Sequence, residues 1–223
     1  MNAAGPIVYN WVDPGQNVGD DAIAVGFIYR EEVVRVKNGT TIEILDDSDL
    51  GSLGLSDLAP VFNGVSTNRA ALAATFKVKD NTKTSKNEVF TLVVNHFKSK
   101  GSNNCTGANC DQGDGQGAYN LRRKAAAQAL VAWLDSKPTG TNDDDYLILG
   151  DLNAYAMEDP IQYLVDAGYS DVVNALTPSE NYSFVFDGQW GALDYALANS
   201  SLLSQTVGAV EWHINSDAVS YTH

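Results

Sequence analysis

Residues 88–97 read EVFTLVVNHF and residues 146–153 read YLILGDLN. The first is an apolar run of strand length that ends in Asn95-His96-Phe97. The second is the short apolar strand Tyr146–Leu149, followed at once by Gly150, Asp151 and Asn153. Short apolar runs rich in Val, Ile, Phe and Thr predict buried strands. A polar side chain at the end of such a strand is held rigidly beside any cleft that the strand opens on. If the second strand continues, its alternation puts Asp151 and Asn153 on one face.

Further strands are predicted on either side of these two. Ala22–Arg30 (AIAVGFIYR) and Ala70–Lys79 (AALAATFKVK) read as buried strands. Val33–Val36 and Thr41–Leu45 flank Asn38-Gly39, which predicts a hairpin. Ser183–Phe186, Leu193–Leu197 and Val207–Trp212 read as late strands, and residues 46–68 as loop. Ala118–Ser136 is the clearest helix, ended by Pro138 and Gly140. Pro160–Ala167 is a short helix stopped by Gly168. With no repeat, linker or low-complexity segment, residues 1–223 read as one mixed domain with more strand than helix.

The chain has 223 residues, with 14 Lys plus Arg against 28 Asp plus Glu, a net charge of −14. That balance excludes a protein holding nucleic acid on a broad basic surface, because phosphates would be repelled. Action on a phosphodiester would need a local cationic site, for which a divalent metal is the obvious candidate. No run approaches the roughly 20 apolar residues of a membrane span, so no membrane partner is expected. The two cysteines, Cys105 and Cys110, sit in a Gly-, Asn- and Asp-rich stretch. They read as a small disulfide-closed loop and an oxidising compartment, the alternative being two free loop thiols. A secreted protein follows, with its leader outside this sequence.

Several side chains stand out. His96 is followed by Lys98 and Lys100 in an otherwise acidic chain. Asp194 lies in GALDYAL, an acid inside an apolar strand, and a buried carboxylate needs a partner or a metal. Arg69 begins a strand, where a guanidinium aimed into a cleft grips phosphate through parallel hydrogen bonds. Lys98, Lys100, Arg122 and Arg123 are either a local basic rim or scattered solvated cations. Trp212 and His213 read as packing residues.

NHFKSKG with its Cys loop, DGQG with the Arg-rich helix, GDLNAYAMEDPI, GALDYAL and EWHINSD occur in this order. Together with GDDAIAVGFIYR and NRAALAATF they resemble the secreted bacterial nucleases of the endonuclease/exonuclease/phosphatase, or DNase I-like, superfamily. The resemblance runs from about Gly19 to Asp217. It implies an α+β fold, a two-sheet β-sandwich flanked by helices. It also implies a phosphodiesterase that hydrolyses DNA, with RNA as a second substrate, using Mg2+ or Mn2+, with Ca2+ as a structural ion. His96 then matches the histidine that protonates the leaving oxygen or stabilises the phosphoryl group. Asp151 matches the aspartate that orients water or binds metal, and Asn153 the asparagine touching metal or phosphate. Arg69, with Lys98, would face the substrate phosphate, and Asp194 would stand near the catalytic histidine.

The same resemblance implies parts that this sequence does not contain. One is an early Gln-Glu motif whose Glu is the main magnesium ligand. The other is a Ser-Asp-His motif whose histidine is the general base; His213 belongs to a different motif. The expectation is therefore a sandwich short of edge strands, weakly active or inactive as it stands, with exposed edges that favour dimerisation. Two other readings compete. One is a phosphatase or sphingomyelinase of the same superfamily. The other is a non-catalytic module held by Ca2+ on Asp111, Asp114, Asp143, Asp144 and Asp145.

Overall fold

The computed structural model describes residues 7–79, 88–178 and 181–213. Its centre is a seven-stranded sheet built from β3 (Val34–Val36), β4 (Glu43–Leu45), β5 (Ala71–Val78), β6 (Val89–His96), β7 (Tyr146–Asp151), β8 (Tyr169–Asp171) and β11 (Asp194–Asn199). The spatial order is β3-β5-β6-β7-β11-β8, with β4 also paired to β5. Neighbours run antiparallel except β6 and β7, which run parallel. A parallel pair needs a long crossover. Here it is the segment from Lys98 to Asp145, which contains the cysteine loop and helix α1 (Asn120–Asp135).

The two long predicted strands are buried because the sheet is covered on both faces. Along β5, Ala71 and Ala73 point into the larger core with Val93, Ile148, Tyr195 and Leu197. Leu72, Ala74 and Phe76 point the other way, with Val12 and Phe27. Two-sided burial produces a continuous apolar run rather than an alternating one. Helix α1 covers the first face: Ala126, Ala127, Ala129, Leu130 and Leu134 are all buried, and it packs on α2 (Asp159–Asp166). A two-stranded ribbon, β1 (Tyr9–Trp11) with β2 (Ile28–Arg30), lies on the second face. A short hairpin, β9 (Phe184–Phe186) with β10 (Gln189–Gly191), leads into β11. Helices α3 (Val172–Leu176) and α4 (Ser200–Gln205) complete an α+β architecture of sheets flanked by helices.

Five expectations are corrected. Ala22–Arg30 is strand only at Ile28–Arg30, and Ile28 is exposed; the segment before it is loop. Asn38-Gly39 does not join a hairpin. β3 and β4 lie end to end along one edge of β5, pairing with Phe76–Val78 and Ala71–Ala73 in turn. The Lys37 N–H still donates to the Thr75 carbonyl, and the chain leaves β5 only beyond Lys37, where the Thr41 N–H donates to the Thr139 carbonyl instead. Val207–Trp212 forms no strand, and Trp212 is exposed rather than packed. Arg123 is no rim residue but fully buried. The ends of the resemblance, Ser216-Asp217 and the last residue His223, lie outside the described residues.

At Gly150 the fold has a steric requirement. The residue adopts φ +120°, and an added Cβ would meet the Asn95 carbonyl oxygen at 2.0 Å. Gly150→Ala should therefore lower stability by at least about 2 kcal/mol, since a strained backbone region alone costs about 1–3 kcal/mol. Urea unfolding checks this; an unchanged midpoint would show that β6 and β7 can separate at this register without penalty.

Candidate active site

Strand register builds the site. His96 is the residue opposite Asp151 across β6–β7, and Asp151 is opposite Asp194 across β7–β11. Side chains at matched positions share a face, so the three form one row across adjacent strand ends. Asn95, one residue earlier, points into the opposite core and is 2% exposed. The His96 Nε2 lies 3.5 Å from Asp151 Oδ2.

Asn153 braces Asp151. Its backbone N–H donates to Oδ1 at 2.8 Å and its side-chain amide donates to Oδ2 at 3.1 Å and to the Phe97 carbonyl at 3.1 Å. The strand does not continue to this residue. β7 ends at Asp151, and Asn153 takes a left-handed φ of +48°. The pair meet because the chain folds back, not because strand alternation aligns them. Asn is one of the few non-glycine residues that tolerates this conformation.

Arg69 completes the cluster from the other side. Its backbone N–H donates to the His96 carbonyl at 3.1 Å. Its guanidinium donates to the Phe97 carbonyl and ion-pairs Asp21 at 3.1 Å, a charge contact without hydrogen-bond alignment. Asp21 was not singled out in the sequence, where it is one of two aspartates in a polar loop. Its carboxyl is held below the usual range by the Ile23 amide, with Arg69 adding to the effect.

The electrostatics follow from this crowding. Burial pushes the His96 imidazole below its ordinary value, and the nearby Arg69 charge pushes it further. Burial pushes the Asp151 carboxyl up, and the neighbouring Asp194 charge adds to it. Asp194 itself is exposed, at the first residue of β11. The expected buried acid is thus corrected: the apolar run after it is the buried part, and the carboxylate stands at the strand's solvent end. The row therefore combines an imidazole whose neutral form is favoured, two adjacent carboxylates and one arginine.

The cations sort differently from the expected rim. The Lys98 N–H donates to Asn68 Oδ1, while its ammonium contacts Ser99 and lies 4.5 Å from the Tyr119 ring centroid. Burial, with Arg69 and Arg123 nearby, depresses its pKa. Lys100 ion-pairs Glu158 and sits over the Tyr155 ring. Arg123 donates to the carbonyls of Lys98, Gln116 and Ala118 and faces Glu158. One buried guanidinium thus ties both ends of the cysteine loop to helix α1. Cys105 and Cys110 stand at disulfide-bonding distance within that loop.

Among the described residues, no three His, Cys, Asp or Glu side chains converge as a preformed metal cage. Asp111, Asp114 and Asp143 each cap an amide in their own turn. Asp144 pairs Lys137, and Asp145 accepts from Gln205. The five aspartates offered for Ca2+ are thus spent on separate contacts. Asp151 beside Asp194 has a different character: two carboxylates whose mutual repulsion a divalent cation would relieve. Mg2+ commonly takes only one or two protein carboxylates and fills its shell with water and phosphate oxygens.

A family model described as the Endonuclease/Exonuclease/phosphatase family matches residues 2–217. The chain belongs to that family. Its enzymes are hydrolases, including nucleases and phosphatases, and are generally dependent on a divalent metal. Among solved structures, a family protein from Bacteroides vulgatus is similar at 15% identity and a TM-score of 0.53, over 86% of this chain and 65% of its own. One from Bacteroides thetaiotaomicron gives 15% identity and 0.52, over 86% and 62%. A humanized D. rerio TDP2 gives 13% and 0.50, over 87% and 61%. These likenesses bear on the fold, and the chain spans under two thirds of the length of each. None of the curated proteins compared with it matches.

The buried guanidinium makes the next test direct. Removing one partner of a buried ion pair costs about 3–5 kcal/mol. Arg123→Ala should lose that much in urea unfolding and loosen the cysteine loop to proteolysis between Lys98 and Gly117. A loss below about 1 kcal/mol would mean that water replaces the guanidinium at the three carbonyls.

Proposed function

We propose that this protein is a metal-assisted phosphodiester hydrolase acting on nucleic acid, DNA first and RNA second. The observation that carries the reading is the row of His96, Asp151 and Asp194 with Arg69 beside it. Phosphoryl transfer demands positive charge or hydrogen-bond donors where the transferring group gains negative charge, and a group that moves a proton. Arg69 is anchored to the His96 strand end and offers the first. His96 is placed to move the proton, and burial with the nearby Arg69 charge favours its neutral form. Its Asp151 neighbour can orient the ring or a water molecule. Lys98, turned against Tyr119, serves the phosphate only by leaving that ring.

Asp151, with the Asn153 side-chain amide oxygen or Asp194 as second donor, would hold Mg2+ or Mn2+, which would polarise a phosphoryl oxygen and lower the pKa of bound water. Such an ion also reconciles the net charge of −14 with an anionic substrate, because the cation is supplied at the site. The order of sequence motifs favours a nuclease over the phosphatase or sphingomyelinase reading. The cysteine pair supports a secreted protein.

The test compares supercoiled plasmid, RNA, a phosphomonoester and sphingomyelin with and without Mg2+. Plasmid nicking should dominate and stop when EDTA removes the metal. His96→Ala should lower kcat about 10²–10⁴-fold, the usual contribution of a positioned proton-transfer group. Asp151→Asn should do the same with a raised Mg2+ requirement. Equal nicking by wild type and both variants would refute the assignment. Preferential release of phosphate from the monoester would move the chain to the phosphatases.

A further inference from the structure

The hairpin that leads into β11 carries more aromatic surface than a two-stranded ribbon can bury. Its turn is Asp187-Gly188, both at positive φ, +50° and +75°. That is the two-residue turn whose twist matches paired strands. Phe186 is 66% exposed and Trp190 73% exposed. Trp190 is not a loose side chain. Its ring stacks on Tyr182 at 5.0 Å and 16°, and Tyr182 stacks on His213 at 3.7 Å and 2°. Three near-parallel rings therefore form a short column in which Trp190 is largely open.

The hairpin is fixed to the catalytic row. The Ser183 N–H donates to the Gly191 carbonyl, and the Ser183 hydroxyl accepts from the amides of Leu193 and Asp194. Gly191 is also pressed against Tyr155, whose ring an added Cβ would meet at 2.4 Å. Between the hairpin and that ring lies a cavity of about 520 Å3, lined by Met157, Phe186 and Trp190 and by the amides of Asn181 and Gln189. Among the described residues no charged side chain lines it. Phe186, Gln189 and Gly191 share the face towards this cavity, whereas Trp190, opposite Val185, projects its ring from the ribbon's other face.

We propose that the β9–β10 hairpin is a nucleobase-stacking site. The open face of Trp190 takes an unpaired base of a single strand whose phosphate lies at the His96–Asp151–Asp194 row. The inference rests on the nucleic-acid reading above. Single-stranded binding relies on aromatic platforms because every base has a π-face, whereas duplex bases are already stacked on each other. A lipid surface is the other environment that takes exposed Trp and Phe. The hairpin tip disfavours it, since Asp187 would carry its carboxylate into the membrane ahead of both rings.

The test uses the full chain with His96→Ala, so that cleavage does not erode the probe, in Mg2+ buffer. Fluorescence anisotropy follows three labelled probes: a short oligothymidylate, an abasic backbone of equal length and a duplex. Trp190→Ala should weaken the oligothymidylate by about five- to 150-fold, the range for losing one base–aromatic stack. Affinity for the abasic and duplex probes should not move. Trp190→Phe should restore most of the loss, and Phe186→Ala, on the ribbon's opposite face, should leave the affinity unchanged. Trp190→Ala removes the stack on Tyr182 but little buried surface, so the melting temperature should fall by no more than a few degrees.

An equal loss on the abasic probe, no loss on oligothymidylate or no measurable oligothymidylate binding would each overturn the stacking site. So would Trp190-dependent binding to phosphatidylcholine–phosphatidylserine vesicles, which would make the hairpin a membrane contact. Hydrolysis of bis(p-nitrophenyl) phosphate by the wild-type chain reports on the catalytic row separately. A wild-type chain that fails there but loses oligothymidylate affinity on Trp190→Ala would leave the stacking site standing without the hydrolase reading.

Discussion

At Asn95 and Gly150 the backbones of β6 and β7 approach so closely that no side chain fits between them. This contact fixes the one parallel register in the sheet, and that register sets His96 against Asp151. β11 then adds Asp194 to the same row through its antiparallel pairing. Three residues from distant parts of the chain are thus placed by backbone hydrogen bonds rather than by side-chain contacts with one another. Such placement tolerates the repulsion of adjacent carboxylates, because the strands that carry them are held by apolar burial on both faces.

The distribution of cations follows from the same crossover. A parallel pair requires a long connection, and this one carries a glycine-rich loop with little apolar content of its own. Its ends are held by polar means instead, through Arg123 on three carbonyls and Lys100 on Glu158. Two cations of an acidic chain are therefore consumed in the interior. Arg69, also mostly buried, stays beside the row because Asp21 and the Phe97 carbonyl hold it. An anionic substrate meets little free positive charge here, which places the electrostatic demand on Arg69 and on a metal ion.

The long elements were legible in the sequence because their signals are local. β5, β6, β7, α1 and α2 lie within two residues of their expected limits, and the residues ending β6 and β7 do reach one site. The failures have a common cause: tertiary context decided them. The Asn38-Gly39 turn signal is real, but both flanking strands pair with β5 instead of each other. Arg123 looks like a solvated cation until the carbonyls of the cysteine loop are placed around it. Asp194 looks buried because its neighbours are apolar, yet it occupies the strand's open end. Asp21 carries no local signal at all. Asp187-Gly188 did carry one, the dipeptide of a tight hairpin, and it marks the element that the strand reading stopped short of.

That hairpin also shows why the row alone does not define a substrate. His96, Asp151 and Arg69 address features that any phosphate ester shares, a charged phosphoryl group and a proton to be moved. They hold nothing that separates a nucleotide from a lipid headgroup. Discrimination must come from surface that touches the rest of the substrate, and fold membership cannot supply it. The hydrogen bonds from Leu193 and Asp194 to Ser183 tie such a surface to the row. A base stacked on Trp190 and a phosphate at His96 would then be positioned by one rigid segment. Binding energy gained on the base would thereby orient the phosphate, the form in which remote contacts assist a reaction.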